Sequence, residues 1–250
     1  MKQLGIIAAL PAEAKCLAGY TDKKNSHFTH TVASPLQIAD NVLLIISGIG
    51  EEQATTAATA LLDHGVNALL SWGCAGALSA QLQPGDLLLP RSIQTQTSIS
   101  FDTDRAWQAR LSRTLAVRCN PCSDALVTST DIITASSQKQ VLNQSSGAVA
   151  VDMESAAIAM VAQKAGVPFM VIRAIADDVN TAIPANIAMV MDKFGNISYA
   201  RMLSLLLLHP ALWLHLIRLG RQFSAAKSTL SLAATTLTPD LLAFSNQTDP

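Results

Sequence analysis

The chain has 250 residues, half of them apolar and only 14% charged, with a formal net charge of −1. That length holds one large α/β domain or two small ones around a sizeable core. The even charge balance, with no basic cluster, excludes a phosphate-dense partner and argues against nucleic-acid binding.

The N-terminal segment MKQLGIIAALPAEAKC begins like a secretory leader. Its apolar run, Leu4–Leu10, is short, and Pro11 and Glu13 stand where a small-residue cleavage site belongs. It reads as a buried first strand, and a cytoplasmic location is expected. The next apolar runs are VLLIISG (42–48), ALLSWG (68–73) and GDLLLP (85–90). They are continuous rather than alternating, as in parallel strands covered by helices on both faces. Between the first two, EEQATTAATALLDHG predicts a helix that opens on Glu51 and Glu52 and is closed by Gly65. Cys119 and Cys122 form a single C-x-x-C without a second pair, between strand-like runs. They and Cys16 and Cys74 are therefore expected to be ordinary reduced thiols, with no metal centre.

Farther on, AVAVDM (148–153) predicts a strand, ESAAIAMVAQKAG a helix closed by Gly166 and Pro168, and FMVIRAIA (169–176) another strand. This alternation predicts a single α/β domain with a mostly parallel mixed sheet flanked by helices. The run Leu203–Leu208 is too short for a bilayer, which takes ~20 apolar residues. His209, Pro210, His215 and Arg218 interrupt its continuation. Tyr199–Leu208 is expected to be the closing helix, ended or kinked by Pro210. ALWLHLIRLGRQF then predicts a second helix, with Leu212, Leu216 and Leu219 on one face, Leu214 broadening it, and Arg218 and Arg221 elsewhere. From Ala225 the Ser/Thr/Ala-rich composition reads as a partly disordered tail. The resulting division is a catalytic domain at 1–205, an apolar helical extension at 206–224 and a tail at 225–250.

Open α/β sheets bind ligands beyond the carboxyl ends of their strands. Glu13 follows the first strand, Asp152 and Glu154 follow AVAV, and Asp177 and Asp178 end VIRAIADD. Any one of these could be an acid that favours a helix dipole or caps free N–H groups. Three such ends on a lightly charged chain favour a site. The glycine turns SGIGEEQA and WGCAGAL (72–78) could present N–H groups to an anion or a sugar oxygen. Neither fits a dinucleotide or P-loop pattern, and the first can be read as only a tight turn.

In order and spacing, GIIAALPAE, SGIGEEQATTAATALL, SWGCAGAL…LQPGDLLLP and VAVDMESAAIAMVAQKAGVPFMVIRAIADD resemble the purine nucleoside phosphorylase and nucleosidase superfamily over about residues 4–200. VDMESAAIA followed by VIRAIADD is the most specific part. Within the superfamily the nearest likeness is to methylthioadenosine/S-adenosylhomocysteine nucleosidases. The DMES variant and the apolar C-terminus also resemble the hopanoid-associated phosphorylases. The resemblance implies cleavage of an adenine nucleoside, with adenosylhopane as the first substrate and methylthioadenosine or S-adenosylhomocysteine as the alternative. A non-catalytic nucleoside-binding protein on the same fold is the reading from another class.

Breaking a purine–ribose bond passes through an oxocarbenium-like sugar, which nearby negative charge favours. It also needs a proton for the departing base and a nucleophile at the anomeric carbon. The resemblance places Asp177 at the base, donating to N7 and reading the exocyclic amine, with burial favouring its proton. It implies Glu154 as acceptor for the ribose hydroxyls, Met153 under the sugar, and Glu13 as activator of water. Cys74 and Gly76 fall on the loop that approaches nucleophile and sugar. Arg173 has either a site role or a pairing role with a neighbouring carboxylate.

Three positions depart from the pattern. Ser71 stands where hexameric phosphorylases carry a phosphate-binding arginine, which favours hydrolysis; phosphate stays open as co-substrate if Arg91 supplies the charge. Ile132 and Ile133 occupy the segment where the nucleosidases stack an aromatic ring, and Ala176 replaces a polar residue before the aspartate. No metal or organic cofactor is expected, and the resemblance and low charge imply a homo-oligomer. The second C-terminal helix is expected either at a subunit interface or at the inner membrane surface, where it could cover a hydrophobic 5′ substituent. On the latter reading, deleting residues 209–250 impairs turnover of an adenosyl lipid more than that of methylthioadenosine.

Overall fold

The computed structural model describes residues 3–20, 34–181 and 212–237. The expected helix Tyr199–Leu208 and the tail beyond residue 237 lie outside the described residues. Strands β1 (Leu4–Ala8), β2 (Leu36–Ala39), β3 (Val42–Ile46), β4 (Ala68–Ala77) and β5 (Leu87–Leu88) are followed by β6 (Ser92–Thr95), β7 (Ser100–Asp102), β8 (Leu126–Thr128), β9 (Ala150–Asp152) and β10 (Phe169–Asp177). Every residue of β1 and β3 is buried. This is why those segments read as unbroken apolar runs.

β1 lies parallel between β3 and β4, and β10 runs parallel along the other edge of β4. The sheet order is β2-β3-β1-β4-β9-β8-β6-β7, with β10 joined on at β4 and β5 at β10. β4 outruns β1, so Gly76 and Ala77 pair instead with β9, antiparallel. Gly76 is thus flanked by Val151 of β9 and by Asp177 of β10. GDLLLP supplies only the two residues of β5, antiparallel to β10. The mixed sheet is as expected, although the runs around β5 and β9 are antiparallel to β10 and β4.

Six α-helices are described: α1 (Pro11–Ala14), α2 (Glu51–Asp63), α3 (Arg105–Leu115), α4 (Ser136–Ser146), α5 (Ser155–Ala165) and α6 (Leu212–Thr236). Gly65 and Gly166 take positive φ at the ends of α2 and α5, where a left-handed residue stops a helix. α2 and α5 cover one face through small residues such as Ala54, Ala57, Ala58 and Ala157, packed with Ile7, Ile45 and Val171. α3 and α6 cover the other, where Trp107, Leu111 and Leu230 meet Leu4, Ile6 and Ile172.

α6 corrects the expected division of the C-terminus. It is one helix of 25 residues that runs through the predicted boundary at Ala225. Ala226, Leu230, Ala233 and Leu237 are buried at helical spacing, and the alanines that suggested a tail are strong helix formers. Removing residues 209–250 would therefore strip part of the core, at ~2–5 kcal/mol for a buried leucine alone. That deletion cannot isolate an effect on substrate. Among the described residues no helix is long and apolar enough to cross a membrane.

Candidate active site

A cavity of about 210 Å³ opens where β1, β3, β4, β9 and β10 end. Glu13, Cys74, Gly76, Met153, Glu154 and Asp177 all line it, together with Ile132 and Ile133. Of the predicted site residues, Arg173 alone does not.

Glu13 reaches the cavity because Pro11 starts a helical turn immediately beyond β1. Its Oε2 accepts from the Leu10 N–H at 3.0 Å, a capping-box contact. Its Oε1 accepts from the Cys74 N–H at 2.8 Å, from the adjacent strand. Burial raises its pKa, against the charge of Arg173 and these two bonds. Gly73 makes room for this arrangement: a Cβ there would stand 2.7 Å from both Glu13 Oε1 and Arg173 Nη1. The Cys74 thiol is held well above its ordinary pKa by burial and then by Glu13.

Glu154 occupies the N-cap position of α5, yet its side chain makes no capping bond. Its Oε1 accepts instead from the Gly50 N–H at 3.0 Å. Gly50 has φ +100°, a conformation that favours glycine, so SGIGEE is more than a tight turn. Burial, and then the charge of Asp152, push the Glu154 pKa up to about 7, against Arg173. Asp152 carries the ordinary structural duty. It accepts from the Ser155 N–H at 3.2 Å and Thr128 Oγ1 at 2.7 Å, and from Arg173 Nε and Nη2 at 3.0 and 2.7 Å.

Arg173 is 2% exposed and also donates to Ser71 Oγ at 2.8 Å and Ser155 Oγ at 3.2 Å. Its guanidinium lies 3.8 Å from Glu154. The pairing role is thus the one its geometry supports. Ser71 is itself fully buried against Arg173. Arg91 is exposed and outside the cavity wall.

Asp177 closes β10 just after an irregularity in its pairing with β4; such bulges re-aim side chains. Its carboxyl lies over Gly76, where a Cβ would meet Oδ1 at 3.0 Å. Burial raises its pKa, and the ammonium of Lys139 opposes the rise. Lys139, a residue the sequence reading missed, donates to Asp177 Oδ2 and to the Asp178 carbonyl, the latter at 2.7 Å. The Asp178 carboxylate serves the scaffold by accepting from Arg218 Nη2 at 2.8 Å and Gln222 Nε2 at 2.9 Å, both on α6. Next to Gln222 on α6, Phe223 joins the cavity wall, also unanticipated. Among the described residues no cluster of His, Cys, Asp or Glu could hold a metal ion.

Fold and cavity together define an α/β enzyme built around buried carboxyl groups at the carboxyl edge of a mixed sheet. The phosphorylase superfamily pattern matches residues 3–206. The chain belongs to that superfamily and cleaves an N-glycosidic bond. It is 29% identical over 205 residues to the 5′-methylthioadenosine/S-adenosylhomocysteine nucleosidase of Buchnera aphidicola, covering 72% of this chain and 81% of that one. The nucleosidase of the same name from Helicobacter pylori, solved with butyl-thio-DADMe-Immucillin-A, superposes with a TM-score of 0.67 at 18% identity, covering 95% and 96% of the two chains. Futalosine hydrolase from Helicobacter pylori gives the same TM-score and identity, covering 96% and 97%.

Proposed function

We propose that this chain hydrolyses the N-glycosidic bond of an adenine nucleoside substituted at its 5′ position, with a hydrophobic substituent preferred. Adenosylhopane is the first candidate, and methylthioadenosine or S-adenosylhomocysteine the second. The observation that carries the reading is the convergence of Glu13, Glu154 and Asp177 on one cavity, each in a different environment. Their roles follow from those environments. Glu154, fixed by Gly50, accepts from the ribose hydroxyls. Asp177, on the opposite edge of β4, meets the base at N7. Glu13, held by two backbone N–H groups, orients and deprotonates the attacking water. As the bond to N9 breaks, its electron pair passes to the purine and the proton of Asp177 passes to N7. Water adds to the anomeric carbon and leaves its proton on Glu13. Met153 packs under the sugar.

Hydrolysis is favoured over phosphorolysis because the one cation lining the cavity among the described residues is Lys139, at the Asp177 end. The hydrophobic substituent is supported by Leu10, Ile49 and Phe223 on the cavity wall. This acid–base chemistry asks for no metal or organic cofactor. Exposed Val141 and Ile132 give a homo-oligomer an apolar surface to use. Contact of α6 with a membrane surface belongs to the adenosyl-lipid reading.

The test is adenine release from methylthioadenosine and from a long-chain 5′-alkylthio-5′-deoxyadenosine, each with and without phosphate. Phosphate-independent release, faster from the long-chain substrate, is expected. Release that requires phosphate would overturn hydrolysis, and preference for methylthioadenosine would overturn the lipid substrate. Binding without release would install the non-catalytic reading.

A further inference from the structure

α4 has an inverted burial pattern. Its sequence, SSQKQVLNQSS, is polar and largely exposed, and Val141 is 65% exposed. The one residue of α4 that is buried is Lys139, at 1% exposure. A lysine placed under a protein surface costs free energy unless its charge is matched, and here the match is Asp177. An ion pair that only anchored α4 would use up its donors within the protein. Lys139 does not. Its ammonium has three hydrogens; two go to Asp177 Oδ2 and the Asp178 carbonyl. Among the described residues the third has no partner, and Lys139 lines the cavity beside Asp177.

The wall proposed to meet the base is therefore lined by Asp177 and Lys139 side by side, the lysine almost wholly buried. Purines differ along the matching edge. A 6-oxopurine offers two acceptors there, N7 and O6, whereas adenine offers the N7 acceptor and a 6-amino donor. A protonated Asp177 and the Lys139 ammonium are both donors, complementary to N7 and O6. The amine of adenine must instead draw on the Asp177 carboxyl, in competition with Lys139. As the bond to N9 breaks, the electron pair that flows into a 6-oxopurine also spreads onto O6, next to the cation.

Resting on the placement of the base at Asp177 proposed above, we infer that Lys139 is a base-reading residue that opens this site to 6-oxopurines beside adenine. Lys139→Met removes the donor while keeping most of the side-chain volume.

The test is calorimetric titration of wild type, Lys139→Met and Lys139→Arg with hypoxanthine and with adenine, alongside hydrolysis of methylthioinosine and methylthioadenosine. In the wild type, hypoxanthine binds as tightly as adenine, within tenfold, or tighter. In Lys139→Met the hypoxanthine-to-adenine affinity ratio falls at least tenfold, and Lys139→Arg retains part of the preference. A ratio unmoved by Lys139→Met overturns the inference. So does a wild type that binds hypoxanthine more than a hundredfold more weakly than adenine, a result that needs no folded variant. A wild type that binds neither base also refutes it. Base binding without turnover of either nucleoside counts against the hydrolytic function alone, since the affinity ratio still reports on Lys139.

Discussion

Replacing Glu154 with Gln should make the protein more stable at alkaline pH while abolishing its work. Burial and the neighbouring Asp152 raise the Glu154 pKa from 4.5 to about 7. A carboxyl raised in this way favours folding when protonated, so its contribution is complete below pH 4.5 and is lost as pH climbs to about 7. The interval, 7 minus 4.5, is about 2.5 pH units. At roughly 1.4 kcal/mol each this is about 3.5 kcal/mol, an upper bound because Asp152 and Arg173 readjust. Glutamine keeps an acceptor for the Gly50 N–H and leaves the Asp152–Arg173 pair intact, but carries no charge. Urea unfolding at pH 4.5 and pH 8 should show no gap between Glu154→Gln and wild type at the lower pH. At the higher pH the variant should be more stable by about 1–3 kcal/mol. Turnover should be lost at both. A variant less stable than wild type at pH 8, or a gap independent of pH, would refute the electrostatic reasoning.

Asp177→Asn cannot give up a proton, and kcat should fall by ~10²–10⁴ with far less effect on nucleoside affinity; equal losses in both would remove Asp177 from the chemistry. Gly73→Ala pushes a methyl group to 2.7 Å from Glu13 and Arg173. It should destabilise the fold by ~1–3 kcal/mol and, by displacing Glu13, cost turnover on the order of a hundredfold. Normal activity would show that Glu13 need not hold this position. Phe223→Ala should lower kcat/KM for a butylthio substrate by roughly fivefold to tenfold, about 1 kcal/mol of lost apolar contact. Adenosine should be nearly unaffected, and a loss equal on both substrates would place Phe223 away from the 5′ group.

The central strands were legible because they are covered on both faces: β1, β3, β4 and β10 have no solvent side and so no polar alternation. The ends of α2 and α5 were legible through Gly65 and Gly166. β6, β7 and β8 are three or four residues long with polar positions, too brief for a period to show. α4 carries no apolar stripe, and its start is set by Gln138 accepting from the Thr134 and Ala135 N–H groups, a signal weak in sequence. The predicted site residues became legible through GIIAALPAE, SWGCAGAL, VDMESAAIA and VIRAIADD as a resemblance, and the structure brings all of them but Arg173 to one cavity. Lys139 was invisible because a lone lysine among Ser and Gln reads as a solvated side chain. Phe223 was missed because the helix that presents it was expected to end at the next residue. Glu154 and Asp152, equal candidates for capping by position, are told apart only by where their oxygens point.

Arg173 stands among Glu13, Asp152 and Glu154, and all three bear on its charge. When the three are ionised, one guanidinium faces three carboxylates, and the cluster is two negative charges in excess. A nucleoside is neutral and gains little from that imbalance. The ribosyl group becomes cationic only as its bond to the base opens, and for that interval the imbalance becomes an attraction. The alkaline weakness of the resting fold and its selectivity for the opening bond would then be one electrostatic property, read once by a denaturant and once by a rate.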